Sequence, residues 1–160
     1  MPSLNKTGNW SVVKMLIKAL APELKRSRDI AVARMAMKAE RISKEHISNQ
    51  DLNWPPLAPS TIAKKQRADR STLTLVETSE YFNAITSYVK SGVGYSGVRR
   101  SIAYNNGQEI AYIAKIHEYG TSTIPKRELW KPTFDETLLW GKKNANPAKI
   151  FIERIRRLAP

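Results

Sequence analysis

Apolar residues along the chain predict helices at both ends and a short stretch of strands between them. Near the N-terminus, four apolar side chains recur at spacings of three and four residues, which is the period of one helix face. Pro22 suits the first turn of a following helix, because its missing N–H would have no intrahelical partner there. We therefore predict one helix from Asn9 and a longer one from Pro22 to His46. The first apolar stripe comprises Trp10, Val13, Ile17 and Leu20.

The longer helix has one apolar side and one basic side. Its sequence is rich in alanine and uninterrupted, so intrinsic helix propensity supports it. The basic side is a candidate surface for a polyanion, although a solvated helix face explains the same pattern. The apolar side comprises Leu24, Ala31, Met35, Ala39 and Ile42, and the basic side comprises Arg34, Lys38 and Arg41.

The middle of the chain predicts a short helix, a helical turn and two strands. Prolines hold a loop at residues 48–59 extended, and β-branched and aromatic residues indicate the strands. A Ser-Gly turn joins the strands, and Asn105-Asn106-Gly107 ends the second one. The predicted elements are a helix at Ser60–Ala68, a turn holding Tyr81, Phe82 and Ile85 capped by Thr78 or Ser79, and strands at Ile85–Lys90 and Val93–Tyr104.

Helical spacing returns at Glu109–Tyr119, where Gly120 follows at the usual place of a helix-ending glycine. Beyond it, an apolar stripe predicts a further helix that breaks between Gly141 and Asn146. Pro147 suits the first turn of a last helix. The stripe comprises Phe134, Leu138 and Leu139, and the packing residues of the last helix are Ile150, Phe151, Ile155 and Leu158.

Strands confined between two sets of helices are typical of the α+β class. We predict an α+β fold with long N-terminal helices, a small antiparallel β-sheet covered by helices, and C-terminal helices. The 160 residues fit a single domain. We divide it into a flexible N-terminal arm at 1–8, a helical region at 9–47, a core at 54–132 and a C-terminal helical region at 133–160.

The chain is strongly basic, with 27 Lys and Arg against 14 Asp and Glu and a net charge of +13. Such an excess indicates a polyanionic neighbour, and nucleic acid is the first candidate. The absence of cysteine excludes disulfides and thiolate zinc sites. We expect no membrane contact, because no apolar run spans a bilayer and no export signal opens the sequence. A second polyanion candidate, beside the basic helix side, is the cluster Arg154, Arg156 and Arg157.

The sequence offers little catalytic chemistry. His117-Glu118 is half of a zinc-protease motif, but Thr121 stands where the second histidine would be needed. A packed histidine at a helix end is the better interpretation. The carboxylate pair Asp135-Glu136 has no histidine or glycine-lined cleft nearby in sequence, so a solvated surface is favoured. We therefore predict no enzymatic activity, no metal and no cofactor.

Three segments within residues 54–132 stand out by their motifs. They are Trp54-Pro55-Pro56-Leu57-Ala58-Pro59-Ser60-Thr61 with the basic residues after it, Leu75 to Ile85, and Ile113-Ala114-Lys115-Ile116-His117-Glu118-Tyr119-Gly120-Thr121 with Ile124-Pro125-Lys126-Arg127. In this order, the segments resemble the tail-completion and neck proteins of tailed bacteriophages, which are grouped with virion-morphogenesis proteins. In the second segment, Ser79 replaces the glycine that is usual in that family, and Tyr81 replaces a usual leucine. After Arg127, Glu128-Leu129-Trp130 stands where Pro-Phe is usual.

The resemblance implies a structural role without chemistry. Members form a ring, usually a hexamer, at the head–tail junction, and phage DNA passes through its centre. The implied partners are further copies of the chain, head-closure or connector proteins, and a tail terminator or tail tube protein. The implied location is the virion, after synthesis in the host bacterial cytoplasm. The candidate interface and loop residues are Trp54, Leu57, Thr61, His117, Glu118, Tyr119, Gly120, Thr121, Pro125 and Arg127.

Two alternatives remain at this point. A tail terminator or head-closure subunit would need the same ring and the same charge. A non-enzymatic DNA-binding regulator would need only the positive charge. The motif residues also have two possible roles, which explain their pattern equally well. They fix an internal loop, or they contact a neighbouring subunit, where Arg127 would hold a carboxylate or carbonyl bidentately.

Overall fold

The computed structural model describes residues 8–104 and 107–158 and confirms the α+β class. The predicted N-terminal arm therefore lies outside the described residues except for Gly8, as do Asn105 and Asn106 of the predicted chain break. The helices are α1 (Trp10–Asn49), α2 (Pro59–Arg67), α3 (Glu80–Ala84), α4 (Ile110–Tyr119), α5 (Trp130–Asn144) and α6 (Pro147–Leu158), and the strands are β1 (Ile85–Lys90) and β2 (Val93–Val98).

One continuous helix, α1, replaces the two predicted N-terminal helices. Pro22 lies inside it, so the prediction of a helix start there was wrong. A proline inside a helix frees the carbonyl four residues earlier, and here that carbonyl belongs to Lys18 on an exposed stretch, where water can bind it. The helix ends at Asn49, and the capping residue after it, Gln50, has a left-handed backbone (φ 52°, ψ 37°).

The two strands form an antiparallel hairpin that lies against α1. The pairing runs from Ile85 opposite Val98 to Lys90 opposite Val93. Gly94 permits the close approach of the hairpin, because a Cβ atom there would lie 3.2 Å from the Cβ of Ala36. The strand predicted to reach Tyr104 instead ends with β2 at Val98, and a single bridge from Ala103 to Glu109 follows the turn.

Helix α5 packs through small and polar residues rather than through its apolar stripe. Its buried residues are Thr133, Thr137 and Gly141, and the Met35 side chain of α1 lies against the glycine. Both threonine hydroxyls donate to carbonyl oxygens four residues earlier, at 2.7 Å, so neither is left unsatisfied. The apolar stripe predicted the helix correctly, and the predicted break between Gly141 and Asn146 is confirmed, because α5 ends at Asn144 and α6 begins at Pro147. The stripe is exposed at Phe134 (44%), Leu138 (54%) and Leu139 (64%).

The buried apolar residues form two clusters. The smaller one joins Ala31 of α1 to Ala145 and Ile150, where α5 ends and α6 begins. Phe151 and Ile155 are partly buried, and the side chain of Leu158 is not among those described. No helix in the described part of the chain is long and apolar enough to cross a membrane. The larger cluster comprises Ile47, Tyr81, Ala84, Ile85, Ile110, Ala114 and Leu129.

Candidate functional site at the meeting of three sequence motifs

The three motif segments pack against one another, and we call this arrangement the motif cluster (residues 54–65, 75–85 and 113–127). The Trp54 indole N–H donates to the carbonyl oxygen of Glu128 at 2.8 Å. The Arg127 guanidinium donates to the carbonyl oxygens of Pro55 at 3.1 Å and Pro56 at 3.2 Å. These bonds join the proline-rich loop to the loop after α4, which lie more than 70 positions apart in sequence. The second motif joins them through Tyr81, which packs in the same apolar cluster as Ala114 and Trp54, so the motifs form one structural unit.

Arg127 lies inside the chain and is only 4% exposed. Its backbone N–H donates to the carbonyl oxygen of His117 at 2.7 Å. Burial lowers the pKa of Arg127, although a guanidinium stays protonated in proteins. The sequence left two roles open for this side chain, a contact to a neighbouring subunit and the fixing of an internal loop. The internal role is favoured, because the guanidinium holds two proline carbonyls of its own chain.

Glu118 fixes the start of α5. Its carboxylate accepts hydrogen bonds from the backbone N–H groups of Leu129 at 2.8 Å and Trp130 at 3.2 Å. The first N–H groups of a helix lack intrahelical partners, and the helix dipole favours an anion beside them. Glu118 thus acts from the end of α4 as a cap for another helix. Among the alternatives open from the sequence, this geometry favours the one in which a motif residue fixes an internal loop.

The chain leaves α4 at Gly120, which has φ 73° and ψ 175°. The predicted helix-ending glycine is confirmed by its position and its positive φ. Its ψ is extended, however, so the left-handed helical cap expected there is not formed. Thr121 then closes the turn, because its hydroxyl oxygen accepts from the backbone N–H of Ile124 at 3.0 Å. Tyr119 and Pro125 are exposed on either side of this turn.

A cleft of about 420 Å³ opens within the motif cluster. Lys65 is buried in its wall, where the ammonium donates to the carbonyl oxygen of Leu73 at 2.9 Å. An exposed ion pair between Arg70 and Glu77, at 2.6 Å, also lines the cleft. Sequence candidates and residues that the sequence did not single out therefore share one surface. The side chains that line the cleft include Leu57, Thr61, Lys65, Tyr81, Tyr104 and His117.

The basic groups of the cleft act on one another. Burial, together with the charges of Arg127 and Lys65, lowers the pKa of His117 to about 4. The ring is therefore neutral at pH 7, and its buried Nδ1 finds no hydrogen-bond partner among the described residues. Burial also lowers the pKa of Lys65, while the Glu77 carboxylate opposes this shift and Arg127 adds to it.

Within residues 8–104 and 107–158, no group of three His, Asp or Glu side chains could share a metal ion.

The two tyrosines that line the cleft, Tyr81 and Tyr104, have raised pKa values. Burial raises the pKa of Tyr81, and the Glu118 carboxylate adds to the shift. Burial likewise raises the pKa of Tyr104. At neutral pH both phenols are protonated, so each can donate and accept hydrogen bonds.

The basic residues predicted to contact a polyanion lie on α1 and α6, and they differ in exposure and in ion pairing. Arg34 and Arg41 are exposed on α1, and Arg41 pairs with Glu45 at 3.0 Å. Arg154 of α6 is held by Glu23 of α1 at 2.8 Å, so it joins two helices. The hydrogen bond from Arg154 lowers the pKa of Glu23. Lys38 is partly buried, and Arg156 and Arg157 are exposed.

The hairpin carries a further basic surface that sequence reasoning missed. The rings of Tyr88 and Tyr95 stack with their centroids 4.9 Å apart, and both residues are exposed. Arg99 and Arg100 are exposed and line the same shallow surface. The antiparallel register places the two tyrosines opposite each other, so alternation in the predicted strands could have indicated the pair. The cleft lysine, Lys65, belongs to the first motif but has no distinguishing spacing.

Comparisons of the chain with models of known protein families, with curated proteins and with solved structures give no match in any of the three. The likeness to phage neck proteins thus depends on the three motif segments alone.

Proposed function

We propose that the protein is a structural subunit of the neck or tail of a tailed bacteriophage. It works as a tail-completion protein, and copies of it assemble into a ring at the head–tail junction through which DNA passes. The ring contacts connector or head-closure proteins on one side and a tail terminator or tail tube protein on the other. Its role requires no catalytic step.

The observation that carries this proposal is the packing of the three motif segments on one another. A resemblance confined to scattered residues would have little physical meaning. Here Arg127 and Trp54 bond across more than 70 positions to join the first motif to the third. A set of motifs that builds one unit is what a shared fold requires. This supports the resemblance without depending on any single residue type.

The positive charge supports a passage for DNA. With a net charge of +13 per chain, a ring of subunits multiplies the positive field along its axis. Contacts to phosphates need no base recognition, so a polyanion can slide past such a surface. Arg34, Arg156 and Arg157 are exposed and available for this role.

The decisive experiment joins assembly and location. We expect purified protein to form a discrete oligomer by mass photometry, with a ring visible by electron microscopy. Removing the gene from the phage that carries it should leave heads and tails unjoined, and a plasmid copy should restore joining. Intact, infectious particles formed without the protein would contradict the proposal.

A DNA-binding regulator is the second candidate, and the hairpin surface favours it. Stacked aromatic rings beside arginines suit contact with nucleic acid. Filter binding across salt concentrations separates the two functions. A regulator should prefer one sequence over random DNA at physiological salt, whereas a ring lining should bind all sequences weakly and lose them as salt rises. Tyr88→Ala with Tyr95→Ala should abolish binding only in the regulator case.

A further inference from the structure

The first part of α1 projects from the body of the protein. Every residue from Trp10 to Pro22 is exposed, and the first partly buried residue is Glu23, which Arg154 of α6 holds. We call residues 10–22 the α1 extension. At a rise of 1.5 Å per residue it is about 20 Å long. A helix of this length, without neighbours, gains little stability from its own hydrogen bonds.

The α1 extension is nonetheless apolar along one face. Val13, Ile17, Leu20 and Leu24 follow one another at alternating spacings of four and three, which is the seam of a helix that packs against another helix. The same spacing continues into Ser27 and Ala31, and both of these are buried. The seam is therefore covered at its C-terminal end and uncovered at its N-terminal end.

The uncovered area of this face is a large part of what an interface needs. Six large apolar residues between positions 10 and 24 lie on or beside the seam and are each 38–62% exposed. If each leaves about 50 Å² of apolar surface in water, their sum is on the order of 300 Å². One partner in a standard interface contributes about 800 Å², of which roughly 60% is apolar. This face thus carries more than half of the apolar surface that one partner contributes.

A second exposed apolar face lies on α5 and comprises Phe134, Leu138 and Leu139, which are 44–64% exposed. We call it the α5 outer face. It cannot cover the extension of its own chain. Gly141 of α5 lies against Met35, and Ile17 precedes Met35 by 18 positions of continuous helix, which is about 27 Å. Glu136 lies near His46, still farther from the extension.

We propose that the α1 extension docks on the α5 outer face of a second copy of the chain. Two different surfaces of one chain then form each contact, so the contact is head-to-tail. Such contacts close into rings when the rotation between copies permits. The proposal rests on the proposed function in taking a ring as the assembled form, and it assigns the surfaces that build the ring.

Cysteine cross-linking tests the pairing directly, because the chain has no cysteine of its own. We would mix full-length Ile17→Cys with full-length Leu138→Cys, oxidise the mixture and separate the products without reductant. The expected result is a covalent dimer at least tenfold more abundant than in either variant alone. Met15→Cys, exposed on the opposite side of the same helix, is the matched control and should yield far less dimer with Leu138→Cys.

Two results would overturn the pairing. Equal cross-linking of Ile17→Cys with itself would show that extensions pair with each other. No enrichment of the mixed dimer over the Met15→Cys control would show that the α5 outer face is not the receiving surface.

A second measurement separates this inference from the proposed function. Mass photometry of Ile17→Asp combined with Leu20→Asp should show monomers, whereas Met15→Asp should form the same oligomer as wild type. Oligomers that persist in the double variant would overturn the docking proposal and leave the proposed function standing. A wild-type chain that stays monomeric would contradict both, and an unchanged circular dichroism spectrum confirms that each variant is folded.

Discussion

The motif cluster and the α1 extension use their side chains in opposite ways. In the cluster, Arg127, Trp54 and Glu118 each bond to backbone groups of their own chain. In the extension, Ile17 and Leu16 leave more than half of their surface exposed. The motif residues named here therefore hold contacts within the fold, while the exposed apolar residues of the extension lie outside the motifs.

The largest expected effect breaks the cluster at Arg127. Arg127→Ala should lower the free energy of unfolding by about 3 kcal/mol, because two proline carbonyls lose their donor inside the protein. Arg127→Lys should cost less, since one ammonium keeps the charge but cannot reproduce the forked geometry. Urea unfolding followed by tryptophan fluorescence measures both. A stable Arg127→Ala variant that fails to assemble would restore the interface role that the sequence indicated.

The second effect concerns the turn after α4. Gly120→Val should cost about 2–3 kcal/mol, because a side chain is strained at positive φ. In addition, its Cβ would lie 3.0 Å from the Lys126 nitrogen. The melting temperature of Gly120→Val is compared with that of a control, Gly97→Ala. A Cβ atom at Gly97 meets no described atom within 4 Å. Equal melting temperatures for the two variants would contradict the assigned backbone conformation.

The third effect is a pH dependence from His117. The unfolded chain binds a proton near the ordinary pKa of 6.5, whereas the folded chain binds it only near 4. Stability should therefore fall as the pH drops from 6.5 towards 4, by on the order of 1–2 kcal/mol once the partial exposure of the ring is considered. His117→Gln should flatten the slope between pH 5 and 6.5, a range above the ordinary carboxylate pKa values. If His117→Gln leaves the slope of stability against pH unchanged, a group other than His117 binds the proton.

The smallest effect belongs to the α1 extension. Ile17→Asp should change the unfolding free energy of the isolated chain by less than about 0.5 kcal/mol, because the side chain contacts little of its own chain. The unfolding free energy of the isolated chain is measured at a protein concentration too low for copies to associate. A loss above 1 kcal/mol would mean that the extension packs on its own body, and the contrast between the two regions would disappear.

Much of the secondary structure was predictable from the sequence. Alternating residues indicated the hairpin, and Gly120 marked the end of α4. Pro22 misled the prediction, because a proline is tolerated inside a helix when solvent can bind the freed carbonyl. Phe134 and Leu138 helped to predict α5 correctly, but their spacing did not show that this stripe is exposed in the folded chain. The packing through Thr133 and Gly141 gave no apolar signal at all.

The candidate site was predictable as a set of residues but not as a set of contacts. His117, Glu118 and Arg127 were each singled out from the motifs, and all three lie in one cluster. The side-chain partners of Arg127 and Glu118 are backbone groups of Pro55, Pro56, Leu129 and Trp130, which nearly any residue type could supply. Side-chain patterns carry no information about such partners, so the internal role of these residues required the structure.

Pro22 also has a mechanical consequence. It stands one position before Glu23, which Arg154 ties to α6, so the weakened helical bonding falls at the edge of the anchored body. Bending is therefore concentrated at one place while the rest of the rod stays stiff. In the proposed ring, this joint would absorb angular error between successive subunits. Pro22→Ala should stiffen the joint and narrow the range of ring sizes seen by electron microscopy.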